Sequence, residues 1–135
     1  MTSLNKVTLI GNLGSQPEIR KSNTGSVFAT FSLATHESWK DKEGNKHQET
    51  EWHRIVVFNE QIAGFIEKHV DKGDHVYLEG KLHSRAWTNE DGQTLKAMEI
   101  VLPRYNGDFK LLSKKSQSPD AGSLDDAVER DVVVA

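Results

Sequence analysis

Cysteine is absent from the 135 residues, so disulfides and thiolate metal sites are excluded. No apolar run approaches the length needed to span a bilayer as a helix. The opening MTSLNKV carries neither an apolar signal segment nor an Arg-rich amphipathic leader, which sets the expectation of a cytoplasmic protein. Charge of one sign is also scarce. Lys and Arg number 17 against 20 Asp and Glu, and most of the small excess lies after residue 112. Any phosphate-binding surface must therefore come from local clustering rather than from bulk charge. Catalytic patterns are missing too. The six histidines (36, 47, 53, 69, 75 and 83) form neither an HExxH motif nor an i, i+4 pair, and no phosphate-cradling glycine loop is present. Asp125 and Asp126 sit in a polar, turn-rich stretch, a poor place for catalysis. The expectation is a protein that is not an enzyme and needs no metal or cofactor.

What is present begins with Glu49 to Phe58, ETEWHRIVVF, which alternates as a β-strand. Trp52, Arg54, Val56 and Phe58 fall on one face, and His53, Ile55 and Val57 on the other. Two large rings around a guanidinium suit a surface that stacks flat bases and attracts phosphate. The same rings would also fit an ordinary core.

Leu4 to Leu13 reads as a strand ending at Gly11 and Gly14, and Glu18 to Arg20 as a second extended piece. Val27 to Thr35 alternates cleanly, with Val27, Ala29, Phe31 and Leu33 on one face; a polar hairpin tip at 41–46 follows. Asn59 to Val70 is the one convincing helix. Asn59 serves as its N-cap, and Ile62, Ala63, Phe65, Ile66 and Val70 form its apolar stripe. His75 to Thr88 is a long strand with Val76, Leu78, Leu82 and Ala86 on one face and Tyr77, Lys81, His83, Arg85 and Trp87 on the other. A turn at Glu90 to Gly92 leads to the last strand, Thr94 to Leu102. From residue 113 the composition turns polar, and 113–135 reads as a flexible acidic tail after a domain spanning 1–112. Three strands, one helix and two strands is the order of an all-β OB-fold, a five-stranded Greek-key barrel. An open six-stranded sheet with a packed helix is the structural alternative.

Trp52 and Trp87 each lie opposite an apolar series, with arginine two residues away, and Trp39 lies in the lysine-bearing stretch SWKDK. Such faces favour a groove for unpaired nucleic acid. The helix, with its core stripe and acidic start, is a poor reader of duplex.

At these residues the chain resembles the bacterial single-stranded DNA-binding protein family. The matching segments are NKVTLIGNLGSQPEIR, TFSLATHESWKD, TEWHRIVVF, KGDHVYLEGKL and RAWTNEDGQT, in the family's order and covering roughly residues 4–112. The resemblance implies a nucleoid-associated homotetramer that wraps single-stranded DNA without sequence preference or catalysis, in replication, recombination and repair. It also implies roles by position. Trp39, Trp52, Phe58 and Trp87 correspond to stacking rings, and Lys40, Lys42, Arg54, Lys72 and Arg85 to phosphate contacts. Lys6, Thr8 and Ile10 lie on the edge that pairs subunits, and His53 corresponds to a subunit contact. Two departures stand out. Glu60 and Ala86 occupy positions where lysine is frequent, which flattens the expected salt dependence. The end, DDAVERDVVVA, is acidic but lacks the Pro-Phe tip through which replication and repair proteins dock. A related OB module that binds RNA or acts in primosome assembly is the alternative.

Overall fold

Alternation in the sequence becomes a run of seven strands and one helix in the computed structural model, which describes residues 2–115. The elements are β1 (Val7–Leu13), β2 (Glu18–Lys21), β3 (Val27–Lys40), β4 (Lys46–Val57), α1 (Glu60–His69), β5 (His75–Thr88), β6 (Thr94–Leu102) and β7 (Asp108–Ser113). Pairing runs β1–β3–β4–β6–β5, and β5 returns to β1. That return closes a five-stranded barrel with no open sheet, as the OB order requires. All pairs are antiparallel except β4–β6, where Ile55, Val56 and Val57 match Ile100, Val101 and Leu102 in parallel.

Two short strands lie off the ring. β2 pairs with β3, and β7 pairs with the start of β5 beside β6. β7 was not foreseen. Its apolar residues Phe109 and Leu111 pack on the core from the strand's inner side. It also takes in Ser113, the first residue of the expected tail, and the next two residues are tied down. The Lys114 ammonium donates to the buried Asp74 carboxylate (2.7 Å), to Asp71 (2.8 Å) and to the His69 carbonyl (2.8 Å), while Asp74 accepts the Lys115 backbone N–H. The rest of the expected tail lies outside the described residues.

Leu33, Ile55, Val57, Ile66, Leu78 and Leu102 form the centre of the core. α1 covers one end of it with Ala63, Ile66 and Val70. Its start is fixed as the sequence predicts, with Asn59 Oδ1 accepting the Ile62 N–H at 3.1 Å. Phe65, assigned to the same stripe, is 41% exposed and lies at the margin beside Phe109.

Two hairpins continue beyond the barrel as arms. β3 and β4 stay paired from Thr35–Glu51 out to Lys40–Lys46, where both strands are largely exposed. The tip is set by Asp41, whose carboxylate accepts the N–H groups of Glu43 and Asn45, with Gly44 at positive φ. β5 and β6 form the second arm, turning at Asn89, which accepts from Asp91 and Gln93 in the same way. This arm corrects the expected pattern of β5. Leu82 (43% exposed) and Ala86 were assigned to the core face, but both lie open, because the strand has left the barrel by Gly80.

Candidate nucleic-acid interface

β4 carries the ring face outward as expected. Trp52 is 61% exposed and Phe58 is 42% exposed, so neither ring is sealed in the core. Trp52 lies against the backbone at Gly14. A Cβ there would overlap Trp52 Cζ3 and lie 3.1 Å from Cη2, so glycine is what lets the indole approach the backbone just after β1. Phe58 tilts against Phe28 of β3 with ring centres 5.6 Å apart. Val56, assigned to the open face between them, is buried. There β4 is flanked by β3 and β6, and the barrel closes over that position.

Arg54 and Arg85 come from strands that are not neighbours, yet they meet. Glu99, on β6 between them, is buried, and its Oε2 accepts from Arg54 Nε at 2.9 Å. Arg85 Nε lies 3.3 Å from the same oxygen. Arg85 in turn sits over the Trp87 ring, 5.1 Å from its centre, a cation–π contact. Trp52, Arg54, Glu99, Arg85 and Trp87 therefore line one continuous face across three strands.

The ladder carries this face along the first arm. Residues directly opposite one another share a side of the sheet, so Ala34–Trp52, His36–Thr50, Ser38–Gln48 and Lys40–Lys46 all lie together. Lys40 thus extends the Trp52 face to the tip, where Lys42 occupies the turn. Trp39 does not join it. It pairs with His47, and unbroken alternation puts it on the opposite face of the arm. There it stacks on the His47 ring, centres 5.5 Å apart, and His47 bonds Asp41 at 2.8 Å. That bond is the first cause holding the Asp41 carboxyl below its ordinary value, followed by the Asn45 N–H. Glu37, Glu49 and Glu51 share the face of Trp39, so this ring lies among anions.

Lys72 is also placed apart. It occupies the turn after α1, where its N–H donates to Gln16, and it shares a shallow depression with Asp71, Asp74 and Lys115. Glu60 stands exposed in the first turn of α1. Ala86 faces away from Trp87 across its strand.

The edge of β1 expected to pair subunits is open within the chain. One side bonds β5 from Val7 to Asn12, whereas β3 reaches β1 only at Asn12 and Leu13. Among the described residues no strand pairs with the other side of residues 7–11, and such an edge is a template for another strand. Lys6 pairs with Glu79 at 3.3 Å, Thr8 is exposed and Ile10 half-buried. Glu79 also accepts from the Tyr77 hydroxyl. This bond pushes the Tyr77 phenol up to about 12, and it is the first cause, ahead of Lys6, of the lowered Glu79 carboxyl. His53 is half-buried on the other face of β4, 2.9 Å from Thr35 Oγ1.

Three contributors escaped the sequence reading. Glu99 left a trace, an acid inside the otherwise apolar run Met98 to Leu102. Gly14 and Phe28 left none, because their roles depend on strands folded against them.

A model of the single-strand binding protein family matches residues 4–107. The single-stranded DNA-binding protein of Rickettsia typhi is 44% identical over 117 residues, covering 86% of this chain and 77% of that protein. That of Rickettsia conorii is 43% identical over the same shares. Among solved structures, the Plasmodium falciparum SSB complex with ssDNA superposes with a TM-score of 0.78 at 43% identity, covering 84% of this chain and 98% of that one.

Proposed function

This chain belongs to the single-strand binding protein family, and on that premise we propose that it binds single-stranded DNA without sequence preference and without catalysis. The observation that carries the proposal is the open face that bears Trp52 and on which Arg54 and Arg85 are linked through Glu99, with Arg85 lying over Trp87. Bases stack on the exposed indoles and on Phe58, and the guanidinium groups and Lys40 meet phosphate. Every base has a π-face, so such a surface tolerates any sequence. Lys42 at the arm tip adds to the cationic end of this path. Trp39, on the far side of the arm, contacts a strand only where that strand passes round the hairpin. Lys72 serves a segment that has travelled to the turn beyond α1.

The open β1 edge and His53 support assembly of copies of the chain, for which a homotetramer is the proposed state. Work in replication, recombination and repair follows from the same activity, in the cytoplasm at the nucleoid. No helix among the described residues is long and apolar enough to cross a membrane. The C-terminal residues through which replication and repair proteins would dock lie outside the described residues.

Titration with poly(dT) at low salt tests the proposal. Strong quenching of tryptophan fluorescence is expected, and its absence would end the reading. Competition with RNA of equal sequence separates the RNA-binding alternative, which a clear preference for RNA would favour. Mass measured in the same solutions reports the assembly state.

A further inference from the structure

Glu99 is an anion set inside a surface that must attract phosphate, and its side chain is only 7% exposed. A carboxylate is costly to bury unless it is paired. Here it is paired from both sides, by Arg54 on β4 and Arg85 on β5, through one oxygen. His83 is the residue directly across from it on β5. The carboxylate engages Nε of each guanidinium, the nitrogen nearest the stem, which leaves the Nη nitrogens as donors for a ligand. Both arginine side chains remain about half exposed, so their tips reach solvent while their stems are held.

Resting on the single-strand reading above, we infer that Glu99 is a positioning residue for DNA binding. It fixes Arg54 and Arg85 in the orientation that receives phosphate and, through Arg85, holds the cation over the Trp87 ring. Free arginine side chains carry large rotamer entropy, and ordering them before the strand arrives removes that cost from binding. Repulsion between Glu99 and phosphate opposes this. It acts past two interposed guanidinium groups, whose positive charges offset it. Loss of orientation falls directly on both donors, so positioning outweighs repulsion.

The two effects have opposite signs, which makes the inference testable. Glu99→Gln keeps the side-chain volume and removes the charge. Oligo(dT) titrations of wild type, Glu99→Gln, the Arg54→Ala/Arg85→Ala pair and the triple variant form a cycle. The expected result is binding weakened by roughly tenfold in Glu99→Gln, the size of one charge-assisted hydrogen bond, with no further loss when it is added to the arginine pair. Binding as tight as wild type or tighter overturns the inference, and so does an equal loss in the absence of both arginines. Should Glu99→Gln fail to fold, NMR on the wild type decides. The Arg54 Nε–H proton, which is bonded to Glu99, should exchange with water more slowly than that of Arg104, and equal exchange refutes the clamp. No quenching of wild type by oligo(dT) removes the single-strand reading itself. Wild-type binding with an unaffected Gln variant removes only the role of Glu99.

Discussion

Trp52→Ala separates an open stacking platform from a packed core. Trp52 is 61% exposed, so roughly two-fifths of its surface is covered, and full burial of a large apolar side chain contributes about 1.5–3 kcal/mol. The expected loss of stability is therefore about 1 kcal/mol in urea unfolding, a small part of a domain's total. Binding should suffer more. Base stacking on one ring contributes about 1–3 kcal/mol, which weakens Kd for oligo(dT) by about 5-fold to 150-fold. Gly14→Ala supplies a companion perturbation that keeps the indole in the chain but displaces it. The added methyl would overlap Trp52 Cζ3 and lie 3.0 Å from Ser32 Oγ, so the ring must swing away from Gly14. It can do so because its outer side is open. Gly14→Ala should thus weaken oligo(dT) binding in the direction of Trp52→Ala with a change in unfolding midpoint of the same small order. Fluorescence titration and urea unfolding on the same samples measure both quantities. If Trp52→Ala unfolds the chain, or if it binds as wild type, stacking on this strand is refuted.

Further expectations concern the core, the arm and the β7 end. Val57 is fully buried on the inner face of β4, so Val57→Asp should leave no folded, DNA-binding protein by circular dichroism. Trp39 lies on the opposite face of the first arm from Trp52, so an oligo(dT) too short to pass round the hairpin should lose affinity with Trp52→Ala and keep it with Trp39→Ala. Equal sensitivity would mean that the arm re-twists on binding. Lys114→Ala removes the ammonium from the buried Asp74 and should cost about 1–3 kcal/mol in urea unfolding. Asp71 is held below its unfolded value of 3.8, first by its bond to Lys114 and then by Gln16, so its contribution is complete above that value and is lost as pH falls through the lower folded one. Acid titration of wild type should accordingly show a loss of stability below about pH 4 that Lys114→Ala diminishes.

Local pattern carried much of this protein. Period-two alternation marked β3, β4 and β5, turn residues at 41–46 and 90–92 marked the hairpins, and Asn59 with its apolar stripe marked α1. The outward placement of Trp52 was also legible, since alternation sets it against His53, Ile55 and Val57 on its own strand. These features are properties of a few consecutive residues, and short-range sterics and burial of one face suffice to express them.

Tertiary structure decided the rest, because pairing partners lie far apart in the chain. Closure of β5 on β1 made a barrel of what could have been an open sheet. The reach of each hairpin beyond the barrel left Leu82 and Ala86 in solvent, and the flanking strands buried Val56. An unbroken β3–β4 ladder sent Trp39 to the acidic side of its arm. Most consequentially, Arg54 and Arg85 face a common carboxylate only because β6 lies between β4 and β5. Alternation tells a side chain which way to point from its own strand, but only the folded sheet says what it will meet there.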